Sequence, residues 1–218
     1  MSTTVPKRAA SPEDKAQKKE LILATALSLL GTKSYNQITM NEIALSAKVA
    51  KGTLFNYFTT KEELFLWVFL DLHEDYFHHL EAELRLLRPN SIDALHFFSS
   101  QVSRLDFNSP YLRLLAILHS QLELHLSKDV TSHYKKCLAE LNHSAATLSS
   151  ERFSELGLEK ASAFYDTLPI LIIGCLHVCT SENFITQLQQ LIGFHLYAAL
   201  RHSSPNSKTK SNLVHWLL

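Results

Sequence analysis

The stretch AKGTLFNYFTTKEEL, residues 50–64, gathers side chains suited to recognising a polyanion. On a helical wheel over residues 51–58, Leu54 and Phe58 fall together with Phe55 at their edge, while Gly52, Thr53, Asn56 and Tyr57 take the opposite side. Thr53 and Tyr57 can donate to phosphate oxygens, Asn56 can hydrogen-bond base edges, and Gly52 lets the backbone approach closely. A helix that only fills a core does not present that set. The plain alternative is a solvated helix face, and the surrounding elements argue against it.

Those elements have the proportions of a helix-turn-helix. Thr39-Met40-Asn41-Glu42 reads as a capping box, with Thr39 and Glu42 each satisfying a backbone N–H of the other. A helix then starts at Met40, carries Ile43, Ala44 and Ala47 on its buried side, and ends before the turn Lys48-Val49-Ala50. The short helix 51–58 follows, in the position that enters a major groove. A second box, Thr60 to Glu63, opens a long helix predicted over 61–88, ending before Pro89. The capped N-termini at Thr39 and Thr60 offer N–H groups and positive dipole ends to phosphates, with Lys61 beside the second. An earlier helix from Glu20 places Ile22, Leu23, Ala26, Leu27, Leu29 and Leu30 on one side and is closed by Gly31.

The charge distribution agrees. The formal net charge is zero, yet residues 1–61 hold nine Lys/Arg against four Asp/Glu, and residues 62–218 hold twelve against seventeen. All twelve histidines lie after residue 61, so the two parts differ in composition as well as charge. The basic part can face a polyanion.

ITMNEIALSAKVAKGTLFNYFTTKEELF, residues 38–65, resembles the DNA-binding domain of the TetR family of bacterial transcriptional regulators. The pattern runs through Thr39, Ile43, Ala44, Ala47, Val49, Gly52, Thr53, Leu54, Tyr57, Phe58, Lys61, Glu62 and Leu64, with Phe55 as an aromatic substitute. Two positions depart from it. Lys48 stands where the turn usually has glycine, and a positive φ there costs on the order of 1 kcal/mol. Ala50 replaces the serine that would cap the recognition helix, a loss of roughly 1 kcal/mol. Lys48 or Lys51 can replace the phosphate contact of that serine. The DNA-facing set is therefore Thr39, Lys48, Lys51, Gly52, Thr53, Asn56, Tyr57, Thr60 and Lys61. The resemblance implies a homodimer on a double-stranded DNA operator, a helical C-terminal domain with a small-molecule pocket, and repression relieved by the ligand.

The rest of the chain reads as all-α. Apolar residues recur at three- and four-residue spacing, and only five glycines and six prolines interrupt them. Further helices are predicted at about 91–106, 110–126, 129–154, 159–180 and 183–202. The expected organisation is a disordered basic arm over 1–15, a helix-turn-helix domain over 16–66, a helical ligand-binding and dimerisation domain over 67–203, and a tail over 204–218. The last two helices carry apolar residues on more than one side. Leu188, Ile192 and Leu196, with Phe194 and Tyr197 on another side, are the candidate dimer contact. His73, Phe77, His119, His125 and Tyr134 are the candidate pocket wall.

Other chemistry finds little support. His73 and His78 are five residues apart and do not make a metal-binding HExxH pair, so no metal or cofactor is expected. No Gly-rich phosphate loop, nucleophile elbow or carboxylate pair suggests an enzyme. Cys137, Cys175 and Cys179 are too few for a disulfide scaffold. The run from Leu168 to Cys179 is too short to span a bilayer, and the N-terminus lacks a secretory apolar core; a cytoplasmic, nucleoid-associated protein is expected. The competing readings are an activator or ligand-independent DNA binder, and a cytosolic metal or thiol sensor whose DNA-binding motif is vestigial.

Overall fold

The computed structural model describes residues 11–201, which are helical without any strand among the described residues. Helix α1 spans Pro12–Thr32 and starts eight residues before the apolar pattern does. The cause is local: the Ser11 hydroxyl accepts from the Asp14 N–H at 3.1 Å, the Asp14 carboxylate accepts from the Ser11 N–H at 3.0 Å, and Pro12 takes the first helical position. Residues 11–15, expected in the arm, thus belong to a capped helix, while Lys7 and Arg8 lie outside the described residues. Gly31 does not close α1, which runs on to Thr32.

A 3-10 turn at Tyr35–Gln37 leads to α2 (Met40–Ser46), α3 (Lys51–Phe55) and α4 (Lys61–Leu86). Then come α5 (Ala94–Val102), α6 (Pro110–Ile117), α7 (Lys128–Arg152), α8 (Gly157–Val178) and α9 (Phe184–Arg201). The helix expected over 110–126 is interrupted, because α6 gives way to a π-helical turn at Leu118–Leu122.

The chain divides into two compact units, residues up to 79 with 106–140, and residues 80–105 with 141 onward. By packing, α6 and the start of α7 group with the first three helices. In the first unit Leu64, Phe65, Leu66, Val68, Phe69 and Leu70 are buried on every side of α4. Each contributes roughly 1.5–3 kcal/mol of transfer free energy. Arg113 of α6 donates to the carbonyls of Leu30 and Lys33, the last turn and cap of α1, which has no basic residue of its own there.

Lys61 is a strut in this unit. Its Nζ donates to the Tyr35 and Ile38 carbonyls, each at 3.2 Å, and stands 4.0 Å from the centroid of the Tyr35 ring. Partial burial lowers its pKa, with Glu62 opposing. Tyr35 donates to Glu62 at 3.2 Å and meets Phe65 edge-on at 5.2 Å.

In the second unit α9 packs on α5 and α8. Phe98 and Phe164 lie 4.5 Å apart, and Ser149 shares a buried 2.9 Å hydrogen bond with Tyr165. A Cβ at Gly193 would stand 3.3 Å from the Leu95 side chain, which explains a glycine within α9. The apolar run at Leu168 extends into a 22-residue helix, so by length and composition alone α8 is apolar enough to cross a membrane.

Three outcomes follow from these local geometries. Lys48 has φ 54°, so Lys48→Gly raises Tm by about 2–4 °C in calorimetry through relief of left-handed strain. Lys61→Met lowers Tm, because two carbonyls lose a charged donor. His73 is buried and its pKa falls from 6.5 to about 4, the result of desolvation. The native state therefore favours the neutral ring: this contribution is complete above about pH 6.5 and is lost as pH falls towards 4. Denaturation curves of His73→Phe show a weaker pH dependence across that window; an unchanged dependence contradicts the assignment.

Candidate nucleic-acid interface

The interface is built from three chain segments of the first unit. Thr39 caps α2 as expected, its hydroxyl accepting from the Glu42 N–H at 3.2 Å. The reciprocal half of that box is absent, since the Glu42 carboxylate pairs with Lys33 instead. The turn to α3 uses Lys48 in the left-handed region, and the Val49 N–H returns to the Ala44 carbonyl at 3.0 Å. Ala50 caps α3 with no side-chain bond, as its missing hydroxyl requires. Helix α3 ends at Phe55, but the Tyr57 and Phe58 N–H groups both donate to the Leu54 carbonyl at 3.0 Å, so the turn continues through Phe58.

Leu54 and Phe58 are fully buried and hold this segment down. Thr39, Lys48, Lys51, Gly52 and Asn56 are exposed, while Thr53, Tyr57, Thr60 and Lys61 are half-buried. The Thr60 hydroxyl accepts from the Glu63 N–H at 3.0 Å, and the Glu63 carboxylate reaches one residue further back than the box requires, to the Thr59 N–H at 2.9 Å. Lys61 is the member of the set most engaged elsewhere, held by the Tyr35 and Ile38 carbonyls. Phe55 is 39% exposed, with the Lys51 ammonium 5.8 Å from its ring centroid, and Leu45 of α2 is 80% exposed. On the helical wheel Phe55 falls at the edge of the buried side, and the sequence pattern gives Leu45 no role. A wheel assigns sides and cannot say how far a neighbouring helix extends over an edge.

The other candidate residues separate. His73, Phe77 and Tyr134 are buried in the first unit, with the His73 and Phe77 rings 4.6 Å apart. Tyr111, missed in the sequence, joins them, its hydroxyl 3.0 Å from His73 Nδ1. His119 and His125 are both exposed, and His119 pairs with Glu123 at 2.8 Å. The π-helical turn at 118–122 breaks the 100° periodicity on which their placement as pocket wall rested. In the second unit Leu188, Ile192 and Leu196 are consumed by packing within the chain itself, whereas Phe194 and Tyr197 are exposed. Leu188, Ile192 and Leu196 are therefore core residues rather than surface contacts. Cys175 is buried, and its thiol is pushed up to about 11 by desolvation and the neighbouring Cys179, away from reactive thiolate character.

Comparison with known proteins agrees with this architecture. Residues 22–68 match the family described as "Bacterial regulatory proteins, tetR family", and residues 71–193 match "Tetracyclin repressor-like, C-terminal domain". The chain is 29% identical over 123 residues to the dhaKLM operon transcriptional activator DhaS of Lactococcus lactis, covering 53% of this chain and 62% of that one. It is 44% identical over 50 residues to the regulator YuxN of Bacillus subtilis, covering 23% and 17%. Each match thus spans less than two thirds of the relative. Among solved structures, a TetR-family regulator from Pectobacterium atrosepticum shares the fold with TM-score 0.63 at 16% identity, covering 88% of this chain and 98% of that one. The repressor FadR of Thermus thermophilus, in complex with lauroyl-CoA, does so with TM-score 0.58 at 16% identity, covering 89% and 100%. With both its helix-turn-helix segment and more than half of its length matched by the family's two domain descriptions, the chain belongs to the TetR family of bacterial regulatory proteins.

Proposed function

We propose that this protein is a sequence-specific DNA-binding transcriptional repressor, a homodimer that leaves a roughly palindromic operator when a small molecule binds. The observation that carries this reading is the outward side of α3 and its turn, where Lys48, Lys51, Gly52 and Asn56 are exposed above a fully buried Leu54 and Phe58. Asn56 supplies base-edge hydrogen bonds, Lys48 and Lys51 neutralise phosphates, and Thr39 donates to the backbone. Activation is a second reading, favoured by the L. lactis relative, itself an operon activator.

A second copy covers the apolar surface that one chain leaves open. On α9, Leu191, Phe194 and Tyr197 are exposed, and on α8, Ile170 and Val178 are exposed as well. Pairing of these two helices across a two-fold axis gives the four-helix contact expected of an isologous interface. Ligand release needs a path from the interior of the first unit to its DNA-facing helices. Helix α6 supplies one, because Tyr111 meets the buried His73 of α4 while Arg113, two residues on, holds the C-terminus of α1.

Operator fragments selected from genomic DNA test the reading. Asn56→Ala costs about 1–3 kcal/mol on the selected site and relaxes base preference at one position per half-site. Lys51→Ala weakens all sequences alike and lowers the log–log salt slope by about one per protomer. Sequence-independent or salt-insensitive binding by the unaltered protein removes the proposal. For assembly, Phe194→Glu with Tyr197→Glu yields folded monomers in light scattering, whereas Leu188→Glu unfolds the second unit; a dimeric double variant contradicts the interface.

A further inference from the structure

The interior of the first unit holds a group of polar side chains that packing alone does not explain. Among the described residues the Tyr134 hydroxyl, on a side chain only 1% exposed, meets no partner at hydrogen-bonding geometry. Leaving such a group dry costs on the order of 1–3 kcal/mol, so buried hydroxyls are ordinarily paired. Burial is the first cause that raises its pKa, followed by the charge of the Glu123 carboxylate and a contact with it that falls short of hydrogen-bonding geometry; Glu123 Oε2 is held by His119 at 2.8 Å. Tyr111 influences Tyr134 as a neighbouring phenol, and its own hydroxyl meets His73 Nδ1 at 3.0 Å.

The rings packed around these groups are aromatic. The Tyr111 ring stacks near-parallel on Tyr76 at 5.5 Å and on Phe69 at 5.8 Å, and His73 lies against Phe69 at 5.2 Å and Phe77 at 4.6 Å. Tyr111 keeps part of its surface accessible although its hydroxyl is deeply desolvated. Desolvation also keeps His73 neutral. Of the groups that shift Tyr111, Tyr134 and His73, the carboxylate of Glu123 is the one that carries a charge at neutral pH.

We propose that His73, Tyr111 and Tyr134 form a binding site for an uncharged, ring-bearing small molecule with one oxygen function, a phenol or aryl ketone, whose oxygen pairs with the Tyr134 hydroxyl. The aromatic walls stack the ring, with offset or edge contacts that each add about 0.5–1.5 kcal/mol beyond burial. Anions are disfavoured because they lose their hydration on burial and Glu123 repels them. A fatty acyl carboxylate or a coenzyme A thioester is thereby disfavoured. The inference rests on the ligand-responsive reading above and specifies its ligand.

Calorimetric titration of the intact protein with 4-ethylphenol, ethylbenzene, 4-ethylbenzoate, 4-ethylbenzylamine and lauroyl-CoA tests it. The phenol binds about three- to tenfold more tightly than ethylbenzene, the range expected of one neutral hydrogen bond, and the anionic 4-ethylbenzoate and lauroyl-CoA bind more weakly than either. In Tyr134→Phe the ratio of phenol to ethylbenzene falls to about one, and the ligand-free variant melts at the same temperature or a few degrees higher, since an unpaired hydroxyl has been removed. Tyr111→Phe, which frees His73 Nδ1, provides a second variant and alters phenol affinity without abolishing ethylbenzene binding.

Preferred binding of the acid, the amine or lauroyl-CoA overturns the proposal. So does an unchanged ratio in Tyr134→Phe, a drop in the melting temperature of that variant, or no binding of the phenol to protein that binds its operator. Phenol binding with the expected ratio but no effect on operator affinity supports the site and instead defeats the release mechanism.

Discussion

Helix α4 begins with seven apolar residues in succession, Leu64 to Leu70, and a helix with no polar side must be covered all round. Six of the seven are buried, and Trp67 is half-buried beneath the Lys19 ammonium, 3.7 Å from its ring centroid. The placement of α1, the 3-10 turn and α6 follows from this requirement, because each supplies part of the cover. The geometry of the helix-turn-helix follows in turn, since Leu54 and Phe58 are fully buried just ahead of α4.

What remains outward on α3 is a residue set defined by exclusion. Once Leu54 and Phe58 are committed to the core, Gly52 and Asn56 must face away, and the left-handed Lys48 sets the direction in which α3 leaves the turn. Both departures from the family pattern fall in this turn, and the fold tolerates them because the Val49–Ala44 backbone bond and the burial of Leu54 hold α3 without a side-chain cap. Strain and a missing cap are each worth about 1 kcal/mol, less than the burial of one leucine.

Helix α6 has a double engagement within the first unit. Tyr111 is tied to a neutral, buried histidine and Arg113 to the end of α1, over a span of only two residues. A short helix fixed at both points cannot adjust at one without loading the other, and the π-helical turn that follows offers a place where the backbone can absorb a shift.

The sequence alone determined the all-helical class, the order of the helices and the two-sided character of residues 51–58, because these depend on periodicity and on capping residues that act within one turn. The family resemblance added that Lys48 takes the place of a turn glycine and Ala50 that of a capping serine. Only the tertiary structure decided which residues of a given side are available. Lys61 is drawn into the Tyr35 and Ile38 carbonyls, Leu188, Ile192 and Leu196 are spent on α5 and α8, and His119 is turned outward by an inserted π-turn. The reason is physical: a helical wheel gives the direction of a side chain relative to its own axis, whereas burial, desolvation and pairing depend on partners brought in from distant parts of the chain.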